Sequence, residues 1–190
     1  MSSLDHIVRR CREGRREREG AKAVAAVLRA LVVSPEDVEE AVGVAVEAGE
    51  TTLFTSPELT VSRLVWAPGM AMYPHNHGLW TVIGVYRGAE RNIVHRRSER
   101  GLDDVGTLEL RAGDVAVLDE DVIHSVVNPV GELTAALHVF GGDLTRQPRS
   151  EWDATTLEER PYDGDRVRRL FDSANTAARA HRWKEAEDQR

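Results

Sequence analysis

Between about residues 51 and 145 the chain is divided into short runs rich in Val, Leu and Thr, each closed by Gly, Pro, Asp or Asn: "LTVSRLVWA", "WTVIGVYRG", "RNIVHRR", "GTLELRAGDVAVLDE", "IHSVVNP" and "LTAALHVFGG". Many short strands with regular turn signals predict an antiparallel sandwich or a closed barrel. The fold class read from this texture is an all-β core with helical ends.

Residues 4–49 lack strand alternation. "SPED" at 34–37 offers Ser34 as a helix N-cap, Pro35 at the first helical position and acids in the first turn. The arginines of the start (Arg9, Arg10, Arg12, Arg15, Arg16, Arg18) interleave with Glu13, Glu17 and Glu19 at helical spacing, which predicts a solvated helix face rather than a nucleic-acid surface. Past Gly142 the stretch "DLTRQPRSEWDATTLEERPYDGD" reads as a loop, and Val167, Leu170 and Phe171 followed by "SANTAARAHRW" predict a terminal helix. With no internal repeat and no low-complexity linker, the expectation is one domain over 1–190: a helical segment 1–50, a β-barrel 51–145, and a loop and helix 146–190.

Composition narrows the partners. A chain of 190 residues with 41% hydrophobic content can bury one sizeable core. Its net charge of -7 repels phosphate backbones and anionic lipid, so neither nucleic acid nor membrane is the expected partner. No apolar run approaches the roughly 18 to 20 residues that span a bilayer, and the charged start lacks a signal-peptide core; a cytoplasmic protein is expected. Cys11 is the only cysteine, so a metal here must use His, Asp or Glu.

"YPHNHGLW" at 73–80 supplies such ligands. Side chains two apart on a strand share a face, so His75 and His77 point the same way, with Pro74 fitting a strand start or edge. From Gly69, five residues precede His75, His77 follows, and Gly88 closes the block; from Gly113, "GDVAVLDEDVIHSVVN" brings His124. These two blocks resemble the paired motifs of the cupin superfamily, whose fold is a double-stranded β-helix barrel. The resemblance implies that His75, His77 and His124 converge on a metal inside the barrel. Thr81 stands where that family usually has a glutamate ligand, and Asp119 and Asp121 replace the usual proline and glycine. Three imidazoles carry no charge, so a divalent ion held by them keeps its charge and open coordination positions, and attracts anions such as thiolates.

From about Leu53 to Asn175, through "WAPGMAMYPHNHGLWTVIGVYRGAERN", "GDVAVLDEDVIHSVVNPVGELTAALHVFGGDL" and "PRSEWD", the chain is similar to the thiol dioxygenase branch of the cupins. That similarity implies one Fe(II) per chain, a small thiol of 3-mercaptopropionate or cysteine type and O2 as substrates, and a sulfinic acid product. It assigns His138 to the branch's catalytic histidine, but Ala136 and Phe140 stand where the branch has a serine and a tyrosine. Tyr73, Trp80 and Tyr86 are replacements by nearness in sequence. Arg149 matches the branch's carboxylate-binding arginine, with Arg63 and Arg87 as rivals, while Trp80 and Phe140 are expected as pocket walls. A different metal-dependent cupin enzyme, or a cupin that binds a small ligand without turning it over, stays open, as does a homo-oligomer.

Overall fold

The strands of this chain change sheet at most turns, and that habit closes the barrel. β1 (Gly49–Ser56), β2 (Leu59–Trp66), β4 (Thr81–Arg87), β7 (Val115–Leu118) and β9 (Thr134–Phe140) form one antiparallel sheet in the order β1-β2-β9-β4-β7. β3 (Ala71–Asn76), β5 (Ala89–Ser98), β6 (Gly101–Arg111), β8 (Ile123–Val127), β10 (Ser150–Trp152) and β11 (Glu159–Pro161) form the other, in the order β11-β10-β3-β8-β5-β6. From β2 to β5, and again from β6 to β9, each step crosses to the facing sheet. This winding is the double-stranded β-helix of the cupin fold, as expected. The computed structural model describes residues 3–99 and 101–188.

Burial shows what each face does. β9 is buried at every position, because one face looks into the barrel and the other lies under helices. The outer face of the first sheet carries Val61, Val65, Val82, Tyr86, Leu137 and Val139, packed against Ile7, Val24 and Leu28 of α1 (Ser3–Arg15) and α2 (Gly20–Leu31) and Val38 of α3 (Pro35–Val42). Inside, Ile83, Val85, Leu110, Leu118 and Ala136 make a dry cluster at one end of the barrel. At the other end Leu64, Trp66, Met72 and Val126 meet Val167 and Phe171 of α4 (Gly164–Asp188), with Trp66 and Phe171 stacked at 5.5 Å. No helix among the described residues is long and apolar enough to cross a membrane.

Local signals held in part. α3 begins at Pro35 as the sequence predicts, yet Ser34 makes no side-chain cap bond. The N-terminal arginines are mostly exposed, with Arg9 paired to Glu13 at 3.4 Å. The stretch expected as a loop after Gly142 is a correction: β10 and β11 pair there and extend the second sheet beside β3. They are three residues each and carry no alternating apolar pattern, so pairing at a sheet edge makes them strands.

Gly84 on β4 marks the helix docking. A Cβ there would lie 2.9 Å from Val32 and 3.2 Å from Leu28 of the helical layer. Gly84→Val should therefore lower stability by about 1–3 kcal/mol through overpacking, read as a drop in Tm with an unchanged far-ultraviolet spectrum; an unchanged Tm would mean that α2 does not sit on this strand as described.

Candidate metal centre

The ring trio is assembled by one strand pair. In the β3–β8 ladder Met72 faces Val126 and His75 faces His124, with a register shift between Met72 and His75. Tyr73 and Pro74 together stand opposite Ser125 alone, a bulge of one extra residue, and proline is tolerated there because the ladder needs no amide hydrogen from it. The bulge returns His75 to the barrel face, and His77, just past the end of β3, joins it. Ring centroids lie 4.6 Å apart for His75 and His124, 5.0 Å for His77 and His124, and 5.1 Å for His75 and His77. One ligand nitrogen from each lies within 4.8 Å of the others.

Each ring is held in one tautomer. His75 Nδ1 donates to the Tyr73 carbonyl at 3.1 Å, a group that can only accept. Thr81 Oγ1 gives its proton to the Leu79 carbonyl and so accepts from His77 Nδ1 at 2.9 Å. Asn92 Nδ2 donates to Glu90 Oε1 at 2.9 Å, which leaves Asn92 Oδ1 to accept from His124 Nδ1 at 2.7 Å. With all three Nδ1–H groups engaged, the Nε2 lone pairs are the free ones, and His124 Nε2 is buried without a partner. Burial pushes the His75 ring down to about 4, and burial together with the neighbouring imidazoles holds His77 and His124 well below the ordinary value. Neutral, oriented imidazoles with an orphaned nitrogen fit a divalent transition ion, and His75, His77 and His124 would hold it. Thr81 serves as the acceptor that orients His77.

His138 lies on the same interior. Neither ring nitrogen has a hydrogen-bond partner, and Nε2 stands 3.9 Å from Glu90 Oε2, an ion-pair separation rather than a hydrogen bond. Burial alone would raise the Glu90 carboxyl, but His138, Asn92 and Trp66 outweigh it and keep the group below the usual carboxylate range. Trp66 Nε1 donates to Glu90 Oε2 at 3.0 Å. Ser62 sits directly opposite His138 in the β2–β9 ladder, and its buried Oγ has no partner. Ala136, in the expected serine position, lies in the dry cluster, so Ser62 supplies a hydroxyl beside His138 from the neighbouring strand. Phe140 packs edge-on to His77 with centroids 5.1 Å apart.

A chamber of about 30 Å³ covers the trio, with His138, Phe140, Glu50, Arg149, Tyr162 and Phe171 among its walls. Arg149, Glu50 and Tyr162 also line a larger outer cavity of about 400 Å³, so they stand where the two spaces meet. Arg149 lies flat on Tyr162, 3.6 Å from guanidinium carbon to ring centroid, and Tyr162 N donates to the Arg149 carbonyl at 2.9 Å. The β10–β11 hairpin positions both. Glu151 anchors it: fully buried, it pairs with His75 in the ladder and accepts from Arg160 at 2.8 Å and from the Asp163 amide at 3.2 Å.

Several sequence candidates lie elsewhere. Arg63 belongs to the outward face of β2, where it donates to the Val42 and Gly43 carbonyls at 2.8 and 2.7 Å and closes the end of α3. Arg87 pairs with Glu39 at 3.1 Å on that same side. Trp80 is no chamber wall; its ring covers Gly141 and packs against the helix-side core. Tyr86 is buried in that core, and the Tyr73 ring lies under Arg166 at 4.8 Å. One-residue shifts in parity decide these placements. Sequence reasoning missed Glu90, Asn92, Ser62, Glu50 and Tyr162. The first two had a legible sign, since polar residues at alternate positions of "AERNIV" must share a face. Tyr162 and Glu50 had none.

No family model matches the sequence. Among solved structures the chain is similar to a cupin superfamily protein from Desulfitobacterium hafniense, at 18% identity over 53% of this chain and 84% of that one, TM-score 0.43. It is also similar to an RmlC-like cupin family protein with a double-stranded β-helix fold from Methanocaldococcus jannaschii, at 12% identity over 54% and 86% of the two chains, TM-score 0.46. A cupin 2 conserved barrel domain protein from Salinispora arenicola shares 23% identity over 58% and 79%, TM-score 0.40.

Two outcomes are expected. Glu90→Gln frees the Asn92 amide to turn over, so divalent-metal affinity should fall about 10- to 100-fold in a competition titration while the fold is kept; undiminished affinity would remove the orienting chain. The metal-free protein should lose stability as pH falls from the ordinary imidazole value of 6.5 towards about 4, because the unfolded chain takes up protons that His75 refuses in the fold. A Tm that stays level over that window in calorimetry would contradict buried neutral rings.

Proposed function

We propose that the protein is a metal-dependent oxidoreductase of the thiol dioxygenase type, which takes one Fe(II) per chain and converts a small thiol of 3-mercaptopropionate or cysteine type and O2 into a sulfinic acid. The observation that carries this reading is the chamber itself: three neutral imidazoles with free Nε2 atoms on one wall, and Arg149, without an ion pair among the described residues, where it meets the outer cavity.

Ferrous iron, when bound, supplies a cation with open positions for a thiolate and the electrons that dioxygen chemistry requires. His75, His77 and His124 leave the ion's charge uncompensated, which favours an anionic sulfur. His138, with both ring nitrogens unpartnered, takes the thiol proton, and the Glu90 carboxylate at 3.9 Å stabilises the imidazolium. Arg149 holds a carboxylate at the far end of the thiol, since a guanidinium stacked over the Tyr162 ring can offer two parallel hydrogen bonds to it. Leu64, Phe140 and Phe171 keep the chamber dry. The overall change balances without an outside reductant: sulfur loses four electrons, the dioxygen gains them, and both oxygen atoms end on sulfur.

A second reading has one observation in its favour. β9 offers Ala136 and Phe140 where hydroxyls would assist turnover, as suits a cupin that binds its ligand unchanged. Anaerobic loading with Fe(II), and separately with Mn(II), Ni(II) and Zn(II), followed by an oxygen-electrode screen of small thiols with mass detection, separates the two. The expected result is oxygen uptake with iron alone and a product heavier by two oxygen atoms; thiol binding with no oxygen uptake under any metal would favour the binding protein. In the active enzyme Arg149→Ala should raise KM for acidic thiols about 10- to 100-fold and leave neutral thiols nearly unchanged, and an equal effect on both would take Arg149 out of the recognition step.

A further inference from the structure

The exit of the metal chamber carries opposite charges that do not answer each other. Glu50 stands on β1 directly opposite Leu64, a chamber wall, and side chains facing each other across an antiparallel ladder share a face. Glu50 therefore looks towards the chamber, and it lines the inner chamber and the outer cavity alike, as Arg149 does. Among the described residues neither Glu50 nor Arg149 takes part in an ion pair. Other charges at the outer cavity are answered within the chain: Glu47 by Arg179 at 3.3 Å and Arg168 by Asp165 at 2.6 Å. Asp172 lines only the outer cavity.

An unpaired carboxylate at this point has a chemical consequence. A thiol whose only other charge is a carboxylate enters as an anion and becomes a dianion once its thiol proton is lost; the bound metal and Arg149 attract it, and Glu50 repels it. A ligand with an ammonium beside its carboxylate offers a partner to each side chain at once, and the repulsion becomes attraction. We infer that Glu50 and Arg149 form a two-point charge clamp, in which Glu50 is the specificity-determining residue that selects a dipolar ligand, bearing an ammonium next to its carboxylate, over a purely acidic one of equal length. This rests on the thiol reading for the reacting atom, but the head-group recognition itself does not need the sulfur.

The test separates the two. Co(II)-loaded protein kept without oxygen reports thiol binding through its visible spectrum, with L-cysteine and 3-mercaptopropionate as the dipolar and acidic pair. Calorimetry on the same protein reads L-serine against 3-hydroxypropionate, a pair without sulfur. Expected for Glu50→Gln is a loss of about five-fold in affinity for each dipolar member and no loss for each acidic member, as for one partly exposed ion pair. Glu50→Lys should go further and tighten the acidic members. If thiols perturb the spectrum but Glu50→Gln moves both members of each pair equally, the clamp is wrong and the thiol reading stands. If no thiol perturbs the spectrum while serine still depends on Glu50, the clamp stands and the thiol reading falls. Absence of binding by all four compounds overturns both.

Discussion

A metal site of three histidines depends on where three protons are. An imidazole carries its proton on either nitrogen, and a ring that presents the wrong one to the metal is a donor where a lone pair is needed. Here a backbone carbonyl, a threonine hydroxyl and an asparagine carboxamide each capture one Nδ1–H. The least replaceable of these is Asn92, because its amide has two ends that could exchange. Glu90 prevents that, since a carboxylate accepts hydrogen bonds and offers none, and the indole of Trp66 keeps the carboxylate in place. A run of buried polar groups thus transmits orientation from the barrel wall to a ligand nitrogen.

The architecture makes such a run affordable. Burying a carboxylate is costly unless its oxygens are satisfied, and a barrel interior brings donors from several strands to one point. Glu90 and Asn92 come from β5, Trp66 from β2 and His138 from β9, so the group exists only once both sheets have closed. The same closure sets the dry cluster beneath the site and the α4 residues above it, where the chamber meets the outer cavity.

Much of this was legible in the residues. The strand runs announced the barrel, and the histidines of the two blocks lie together as the resemblance implied, while period two on a strand accounts only for the shared face of His75 and His77. It worked for His75 and His77 despite the bulge, since the extra residue precedes both. The rule was silent on Arg63 and Trp80, for which only knowledge of the helix-covered face tells inward from outward. It was silent also on β10 and β11, three-residue strands without an apolar alternation, tied to the sheet where Glu151 meets His75 far back along the chain. Ser62 shows the remaining limit: a hydroxyl expected two residues before His138 is instead beside it on another strand, and no reading of one segment reveals a neighbour supplied by ladder register.

The hairpin of β10 and β11 attaches to the histidine-bearing strand β3 through Glu151 and His75 and stands outside the closed barrel. Arg149 and Tyr162 ride on this appendage, while the ligand nitrogens belong to the wall. On the proposed reading, selectivity and metal retention are therefore inherited on separate pieces of chain: an insertion or replacement in the appendage would retune what enters without rewriting the vessel that receives it.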